Sequence, residues 1–270
     1  MRRRRQANLV ISGRIKGRES ALFSREWPPN CPIIVLVLIL ALDTSSPTGS
    51  LAVLRDENVI GVVSTLAEET YSSRMFRHLE FLLQELSLKL DQFDLFAVAA
   101  GPGSFTGLRV GLAAAKGWAE VYKKPVVGIS VLEAIAAQSY SNATVLVAAS
   151  DARRGEIYYG VYRRQKNSLA LEDEECVLGP EEFLRAIGAR PGSAEFAIIT
   201  PSPEVLSGAL SRIEMERVPL PRVERVSNIL APVIGQLGYR RAQSGAVSDA
   251  LTLDANYIRR TDAEVHAKRQ

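Results

Sequence analysis

Residues 95–109 read LFAVAAGPGSFTGLR, an apolar run followed by a glycine-rich loop. The run Leu95–Ala100 predicts a buried strand, because it is short, apolar and bounded by turn-forming residues. After the loop, small residues continue to about Tyr122 and predict a helix. A strand, a glycine-rich loop and a helix in this order are typical of the parallel crossovers of α/β proteins.

The flanking segments extend this pattern into a first domain. Before it, three apolar segments joined by tight turns predict an antiparallel meander, and an amphipathic segment predicts a helix over about residues 72–90. After it, a short apolar run predicts another strand, and Ser130 is placed as the N-cap of a further helix. The four strands are Ile33–Leu42, Ser50–Leu54, Val59–Leu66 and Val126–Ile129. We therefore predict an α/β domain over residues 33–142.

The second half of the chain has a similar predicted order of strands and helices. Strands are predicted at 144–150, 156–163, 169–178 and 196–200, a turn at 151–155, and helices at 180–187 and 227–241. The similar order of elements suggests a duplicated architecture. We predict a smaller second α/β domain over residues 143–262, followed by a tail over 263–270.

Positive charge is concentrated at the N-terminus. Residues 1–32 hold eight Lys or Arg and two Glu, whereas the other residues carry a net charge of −3. Such an arm could bind nucleic acid or an anionic surface, but its composition predicts a disordered extension. A further hypothesis is that translation starts at Val35, Leu36, Val37 or Leu38, each of which an alternative bacterial start codon could encode. Mass spectrometry of the native N-terminus distinguishes these possibilities.

The residue inventory excludes several classes of protein. Cys31 and Cys176 lie far apart and show no disulfide or zinc spacing, which favours a reducing, cytoplasmic compartment. The longest apolar run has ten residues, too few for a membrane span, so no membrane association is predicted. His78 and His266 are the only histidines, so paired-histidine zinc motifs are excluded and no metal site is predicted.

The glycine-rich loop is the strongest candidate for a binding site. It is neither a P-loop nor a dinucleotide fingerprint, because Thr106 stands where the latter needs its third glycine. Glycines nevertheless let backbone amides approach an anion at a helix N-terminus. The alternative is a tight strand-to-helix connection that binds nothing. From the loop, the anion or nucleotide candidates are Gly101, Gly103, Ser104, Thr106, Gly107 and Arg109.

Two further turns follow predicted buried strands and could face this loop. Asp43, Thr44 and Ser45 open a hydroxyl-rich turn that resembles the first phosphate hairpin of the actin, sugar kinase and Hsp70 superfamily. Asp151 and Arg153 stand at the equivalent place in the second half. Two ordinary turns in which each Asp accepts local hydrogen bonds are the alternative interpretation.

Three motifs together resemble one bacterial family. Residues 38–45 read LILALDTS, residues 101–111 read GPGSFTGLRVG and residues 151–158 read DARRGEIY. They are similar to motifs of the TsaB/YeaZ family of tRNA threonylcarbamoyladenosine biosynthesis proteins. The resemblance is strong over residues 35–163 and weaker over 165–250, and Tyr257-Ile258-Arg259 is similar to the family's C-terminal end.

The resemblance implies an actin-like, ribonuclease H-like two-subdomain α/β fold with mixed sheets. It also implies a cytoplasmic, non-catalytic subunit that forms a heterodimer with a catalytic TsaD-like relative and binds a TsaE-like ATPase. TsaD transfers threonylcarbamoyl to the adenosine next to the anticodon of tRNAs that read codons beginning with A. ATP and metal are expected in these partners rather than in this chain, tRNA is expected to be bound through the complex, and a homodimer is possible in isolation.

The family's helical interface matches the two predicted helices at 72–90 and 107–122. Small residues at Gly107, Gly111 and Ala115 allow close approach of another helix, either within the domain or from a partner. The interface candidates are Tyr71, Ser72, Met75, Phe76, Leu79, Gly107, Val110, Gly111, Ala114 and Trp118. Tyr71-Ser72 stands where the family commonly has His-Ser, so partner contacts are expected to differ in detail.

The sequence is also compatible with a second function. Asp43, Asp151 and the glycine-rich loop could surround a metal-nucleotide in an autonomous small-molecule kinase or ATPase of the actin-like superfamily. The histidine inventory opposes a metallopeptidase, and the charge of −3 outside the arm disfavours direct tRNA binding by the folded part.

Overall fold

The computed structural model describes residues 36–66, 71–166, 168–215, 222–247 and 252–258. All of them belong to one unit that extends from Val35 to Gln270. The extension predicted over residues 1–32 and the tail predicted over 263–270 lie outside the described residues.

The first sheet has five strands in the order β3-β2-β1-β4-β5. Strands β1, β2 and β3 pair antiparallel, and β4 and β5 add parallel to β1 on its other side. Their bounds are β1 Leu38–Asp43, β2 Ser50–Arg55, β3 Asn58–Ser64, β4 Leu95–Gly101 and β5 Val126–Ser130. This confirms the predicted meander with two crossover strands.

Three helices follow strands of this sheet: α1 Tyr71–Glu85, α2 Phe105–Tyr122 and α3 Val131–Ala136. Helix α1 ends five residues before the predicted end, because Ser87 adopts a left-handed conformation with φ of 52°. The predicted cap of α3 is confirmed, since Ser130 Oγ accepts the N–H groups of Leu132 and Glu133 at 3.1 and 3.3 Å.

The second sheet has six strands and follows the same topology. Its main order is β11-β10-β6-β7-β8, with β9 also paired to β7. Its elements are β6 Val145–Arg153, β7 Glu156–Arg164, β8 Leu169–Leu171, β9 Cys176–Leu178, α4 Pro180–Gly188, β10 Ala197–Thr200, α5 Glu204–Met215 and β11 Arg222–Arg225. Of these elements, α5 and β11 were not predicted from the sequence.

Two predictions in this half are wrong in detail. The predicted strand over 169–178 is two short strands, β8 and β9, separated by a connection that contains Glu175. The predicted turn over 151–155 is narrower, because β6 continues to Arg153 and only Arg154 and Gly155 connect it to β7. Both connecting residues have positive φ, as a two-residue hairpin turn of this hand requires.

Helix α6, Ala231–Gln243, returns from the second half and packs against β1, β2 and β4 of the first sheet. Its close approach depends on glycine, because a Cβ at Gly235 would lie 2.3 Å from Leu54 Cδ1. The strands of the first sheet all precede residue 142, and those of the second sheet all follow it. The domain boundaries themselves stay a prediction.

The layers of the fold pack against one another through three apolar cores. One lies between the first sheet and α1 and α2, the next between the two sheets around α3 and α6, and the last between the second sheet and α4 and α5. The loops that follow β1, β4 and β6 border the same cleft between the sheets.

Candidate functional site

The end of β1 buries a carboxylate. Asp43 is fully buried, and its Oδ1 accepts the backbone N–H of Ser45 at 2.9 Å and the Ser45 hydroxyl at 2.6 Å. Among the described residues, no hydrogen-bond donor reaches its Oδ2. Burial raises the pKa of Asp43, and the two hydrogen bonds from Ser45 oppose this shift only in part.

The glycine-rich loop docks directly on this segment. The Ser104 N–H donates to the carbonyl of Ser45 at 2.7 Å, and Thr44 Oγ1 donates to the carbonyl of Gly107 at 2.7 Å. A Cβ at Gly103 would lie 2.6 Å from the Ser45 carbonyl oxygen. The glycines therefore allow two backbone segments to pack against each other.

Helix α2 begins within the loop and caps itself. Ser104 is its N-cap residue, and its Oγ accepts the N–H of Gly107 at 3.3 Å. A Cβ at Gly107 would lie 2.0 Å from the Thr44 carbonyl oxygen, and one at Gly111 would lie 2.3 Å from Thr44 Oγ1. The space an anion would need beside Gly103 is filled by Ser45, so these loop residues do not fit a phosphate group held in the loop.

The turn in the second half also uses its aspartate locally. Asp151 Oδ1 accepts the N–H of Arg153 at 2.7 Å, and Arg153 has a φ of 59°. This geometry matches the alternative in which the aspartate is a local acceptor. The tip of this hairpin borders the cleft between the sheets, and Arg153 forms part of the lining of the cleft.

The structure brings part of the predicted anion site together. The space between the two sheets, which we call the inter-sheet cleft, has a volume of about 560 Å³. Its lining includes the predicted residues Ser45, Gly103, Ser104, Asp151 and Arg153.

The other predicted residues lie outside the lining of the cleft: Asp43, Thr44, Gly101, Thr106, Gly107 and Arg109. The first two are buried below it. Arg109 contacts two residues that do line the cleft: its Cζ lies 3.7 Å from the centroid of the Phe105 ring, and its Nε donates to the Tyr257 hydroxyl at 3.2 Å.

Two asparagines that line the cleft were missed by sequence reasoning. Asn228 Nδ2 donates to Thr48 Oγ1 at 3.2 Å, and Asn256 lies in the C-terminal segment. Neither lies in one of the quoted motifs: Asn228 is in the segment that leads into α6, and Asn256 is in the segment after that helix. The family-like Tyr257-Ile258 pair directly follows Asn256 and is the sequence signal that could have identified it.

The interface candidates on α1 and α2 divide by burial. Tyr71, Met75, Leu79, Gly107 and Gly111 are buried against this chain's own residues, so they are not accessible to a partner in this conformation. Tyr71 fills the space beside Gly49 and its hydroxyl lies 3.2 Å from His78 Nδ1.

The remaining candidates reach the surface. Phe76 is 56% exposed, and Val110, Ala114 and Trp118 are half-buried on α2. The Phe76 and Trp118 rings meet edge to face with centroids 6.4 Å apart. Ser72 lies within α1.

The described ranges offer neither a metal cluster nor a membrane-crossing helix. Within them, no group of three or more His, Cys, Asp or Glu side chains is placed to hold a metal ion. No helix in those ranges combines the length and apolarity that crossing a bilayer requires.

Asp43 gives the fold a testable pH dependence. Because its pKa is raised in the folded state, the native protein binds this proton more tightly than the unfolded chain does. Its contribution to stability is therefore fully present below the unfolded pKa and is lost as pH rises through the folded pKa. The amide that an Asp43→Asn variant carries cannot titrate. We expect the parent to gain stability relative to the variant as pH falls from neutral to about 4.

Urea unfolding of both proteins across this pH range measures the effect. The other carboxylates titrate in both proteins and cancel in the difference. A difference in unfolding free energy that does not change with pH would show that Asp43 has an ordinary pKa.

Comparison with known proteins identifies similar sequences and similar solved structures. Residues 52–207 match the family model described as "TsaD: tRNA N6-adenosine threonylcarbamoyltransferase". The chain is 34% identical over 146 residues to the tRNA threonylcarbamoyladenosine biosynthesis protein TsaB of Escherichia coli, covering 53% of this chain and 63% of that protein. It is 36% identical over 131 residues to TsaB of Bacillus subtilis, covering 48% and 57% respectively. The aligned region thus spans less than two thirds of either relative.

The structural match extends further along the chain. The structure of YeaZ from Pseudomonas aeruginosa superposes with a TM-score of 0.66 at 25% identity, covering 82% of this chain and all of that one. The predicted fold class, an actin-like α/β fold with mixed sheets, is confirmed by this match and by the sheet topology.

Proposed function

Because the chain belongs to the TsaB/YeaZ family and carries the TsaD family domain over residues 52–207, we propose that it is a non-catalytic subunit in tRNA threonylcarbamoyladenosine synthesis. It pairs in the cytoplasm with a TsaD-like catalytic subunit, and a TsaE-like ATPase binds the pair. The substrate is a tRNA that reads codons beginning with A, and it is bound through the complex. We also propose that the chain can form a homodimer in isolation.

The observation that carries this proposal is the apolar surface shared by α1 and α2. Phe76 and Trp118 meet at this surface, and Phe76 exposes 56% of its area. Beside them lies a groove of about 520 Å³ whose walls include Leu83, Leu88 and Leu90. An exposed aromatic pair beside an apolar groove is the kind of surface that a partner helix covers.

The filled loop supports the non-catalytic part of the proposal. The Ser104 N–H and one oxygen of the Asp43 carboxylate, both on residues predicted as nucleotide-binding candidates, are engaged by Ser45. We therefore assign the chain no bound cofactor. ATP and metal belong to the partners in this proposal.

The cleft favours one other candidate, an autonomous small-molecule kinase or ATPase. Its volume of about 560 Å³ and its lining by Ser104, Asp151 and Arg153 suit a phosphorylated ligand held between the sheets rather than inside the loop. This candidate predicts ATP turnover by the purified chain and its loss in an Asp151→Asn variant.

One experiment tests both candidates. The full chain is co-purified with the TsaD-like protein of the same genome, and threonylcarbamoyl transfer to tRNA is measured with and without this chain. Complex formation and transfer that depends on the chain would support the subunit proposal. ATP turnover by the chain alone, without association, would overturn it in favour of the kinase or ATPase.

A further inference from the structure

The outer edge of the first sheet is apolar. Strand β3, Asn58–Ser64, stands first in the strand order, and among the described residues it pairs with β2 alone. It contains neither a charged residue nor a proline, which are the residues that commonly protect a free edge. Val59, Ile60 and Val62 are exposed on it. Because Ile60 is an extra residue against β2, the regular stretch of this edge is residues 61–64.

Helix α1 covers the same edge from one face of the sheet. It packs on β2 and β3, whereas α2 packs on β1, β4 and β5. The helix approaches β3 closely, since a Cβ at Gly61 would lie 2.9 Å from Leu82 Cδ1 and from Leu86 Cδ1. Strands β3 and β4 run in the same direction and α1 connects them, so α1 runs antiparallel to β3.

One row of α1 residues faces outward beyond β3. Arg77, Phe81 and Glu85 follow one another at four-residue spacing and are exposed, and we call them the outer ridge. At 100° per residue, Phe81 and Phe76 lie on opposite sides of the buried Leu82, about 100° and 120° from it around the helix axis. Because Phe76 contacts α2, the outer ridge lies on the side of α1 away from α2.

The charges of the outer ridge are complementary to those of a second, antiparallel copy. Along α1 the ridge is positive at Arg77, apolar at Phe81 and negative at Glu85. A two-fold axis through Phe81 would place each Arg77 opposite the Glu85 of the other copy, with the two phenylalanine rings at the axis. A parallel arrangement would instead oppose like charges. The order of the residues therefore fits an isologous contact with a second copy.

The free strand requires the same symmetry. Two β3 strands that pair antiparallel across a two-fold axis normal to the sheet would join two five-stranded sheets, with both α1 helices on one face. The helices would be two strand spacings apart, about 9.6 Å, and packed helices lie about 8–10 Å apart. Sheet twist of about 20–25° per strand would cross them at about 40–50°, which suits rows of residues spaced four apart.

One axis can serve the helices and the strands together. Residues 82–86 of α1 lie over Gly61. Phe81 is three residues nearer the start of the helix than the middle of that turn, or about 4.5 Å. Because β3 runs the other way, a similar displacement of about 5 Å leads from Gly61 to a point between residues 62 and 63. That point is the centre of the regular stretch of the edge, residues 61–64.

We propose that β3 and the outer ridge of α1 form the surface through which a second copy of this chain binds. The two β3 strands pair antiparallel, and Phe81 lies at the two-fold axis. This surface is separate from the one that contains Phe76 and Trp118, so the dimer leaves that surface available to a TsaD-like partner. The inference rests on the homodimer named in the proposed function and assigns the surface that forms it.

Charge reversal tests the contact between the ridges. Sedimentation velocity of the full chain alone gives the dissociation constant of the dimer. Arg77→Glu opposes two carboxylates at both ends of the contact, and Glu85→Lys opposes two cations. We expect each variant to weaken dimerisation about tenfold or more. When the two variants are mixed in equal amounts, opposite charges face each other at both ends. The mixture should therefore associate with about the affinity of the parent.

A second variant tests the strand edge. Val62→Lys adds a charge at an exposed position of β3, beside the same position of the other copy. We expect this charge to weaken dimerisation about tenfold or more, because it would be buried against a like charge at the axis. Phe76→Ala is the matched control, since it truncates an exposed aromatic residue of the same helix on the side that faces α2. This variant should dimerise as the parent does.

Three results would overturn the proposal: a parent that stays monomeric at about 100 μM, a charge-reversed mixture that does not associate, or a dimer that Phe76→Ala weakens more than Val62→Lys does. Circular dichroism verifies that each variant is folded. If Arg77→Glu does not fold, Phe81→Ala is measured in its place and should also weaken dimerisation about tenfold or more. A monomeric chain that still binds the TsaD-like protein would refute this inference and leave the subunit proposal standing.

Discussion

Gly107→Ala is expected to lower the free energy of unfolding by about 3 kcal/mol, the upper end for inserting atoms into a packed site. Alanine normally favours a helix over glycine by about 1 kcal/mol, so intrinsic propensity predicts the opposite sign. The cause is the Thr44 carbonyl oxygen, which would lie 2.0 Å from the new Cβ. Separating the two segments would also strain the hydrogen bond from Thr44 Oγ1 to the Gly107 carbonyl.

Gly117→Ala is the matched control on the same helix. No atom lies within 4 Å of the position that its Cβ would occupy, so this variant should gain about 0.5–1 kcal/mol. Urea unfolding followed by far-ultraviolet circular dichroism measures both variants. Equal unfolding free energies for the two would show that β1 and the glycine-rich loop do not pack as described.

Phe76→Ala is expected to weaken binding to the TsaD-like partner about 30-fold or more, the loss typical of an aromatic residue at the centre of an interface. Phe76 is the better choice for truncation than Trp118, because Trp118 also packs on the buried Phe96 with centroids 5.8 Å apart. Truncating Phe76 therefore removes exposed apolar area and leaves the core intact.

Phe81→Ala is the control for this prediction. Phe81 lies on α1 as well and is 54% exposed, against 56% for Phe76. Five residues of helix place the two side chains about 140° apart around the axis, so both cannot face the same partner helix. Isothermal titration with the purified partner gives both dissociation constants. A larger loss for Phe81→Ala would move the partner surface away from α2.

Local periodicity was sufficient to predict most of the first sheet and its helices. The apolar segments and turns around β1, β2 and β3, and the serine cap at Ser130, are determined by neighbours in sequence. The end of α1 was not predicted, because a left-handed Ser87 interrupts an apolar pattern that continues to Leu90. Periodicity identifies the helix face but not the residue at which the backbone turns.

The second half was predicted less completely, for reasons visible in its sequence. Strand β11 reads RVER and is an edge strand with one buried residue, Glu224, so it lacks the apolar alternation of a central strand. Helix α5 contains Gly208 and two serines, which weaken its helical signal. Both elements are stabilised by tertiary packing that single-sequence patterns do not report.

The site illustrates the same difference between local and long-range information. The sequence indicated that the glycines of the loop are positions of close backbone approach. It did not indicate which residue approaches them. Ser45 occupies that position because β1 and β4 pair in parallel, which brings the turn after one strand against the loop after the other. Likewise, helical spacing grouped Met75 with Phe76, and only the packed structure separates the buried residue from the exposed one.

The return of α6 to the first sheet has a consequence for synthesis on the ribosome. All five strands of that sheet are complete by Ser130, but the helix that covers β1, β2 and β4 begins at Ala231. During translation, the inner face of the sheet, which includes Leu54 and Ala97, therefore lacks its covering helix while about a hundred further residues are added. At typical rates of about 5–20 residues per second, this exposure lasts about 5–20 s. The nascent chain is thus expected to need protection by a chaperone over that interval.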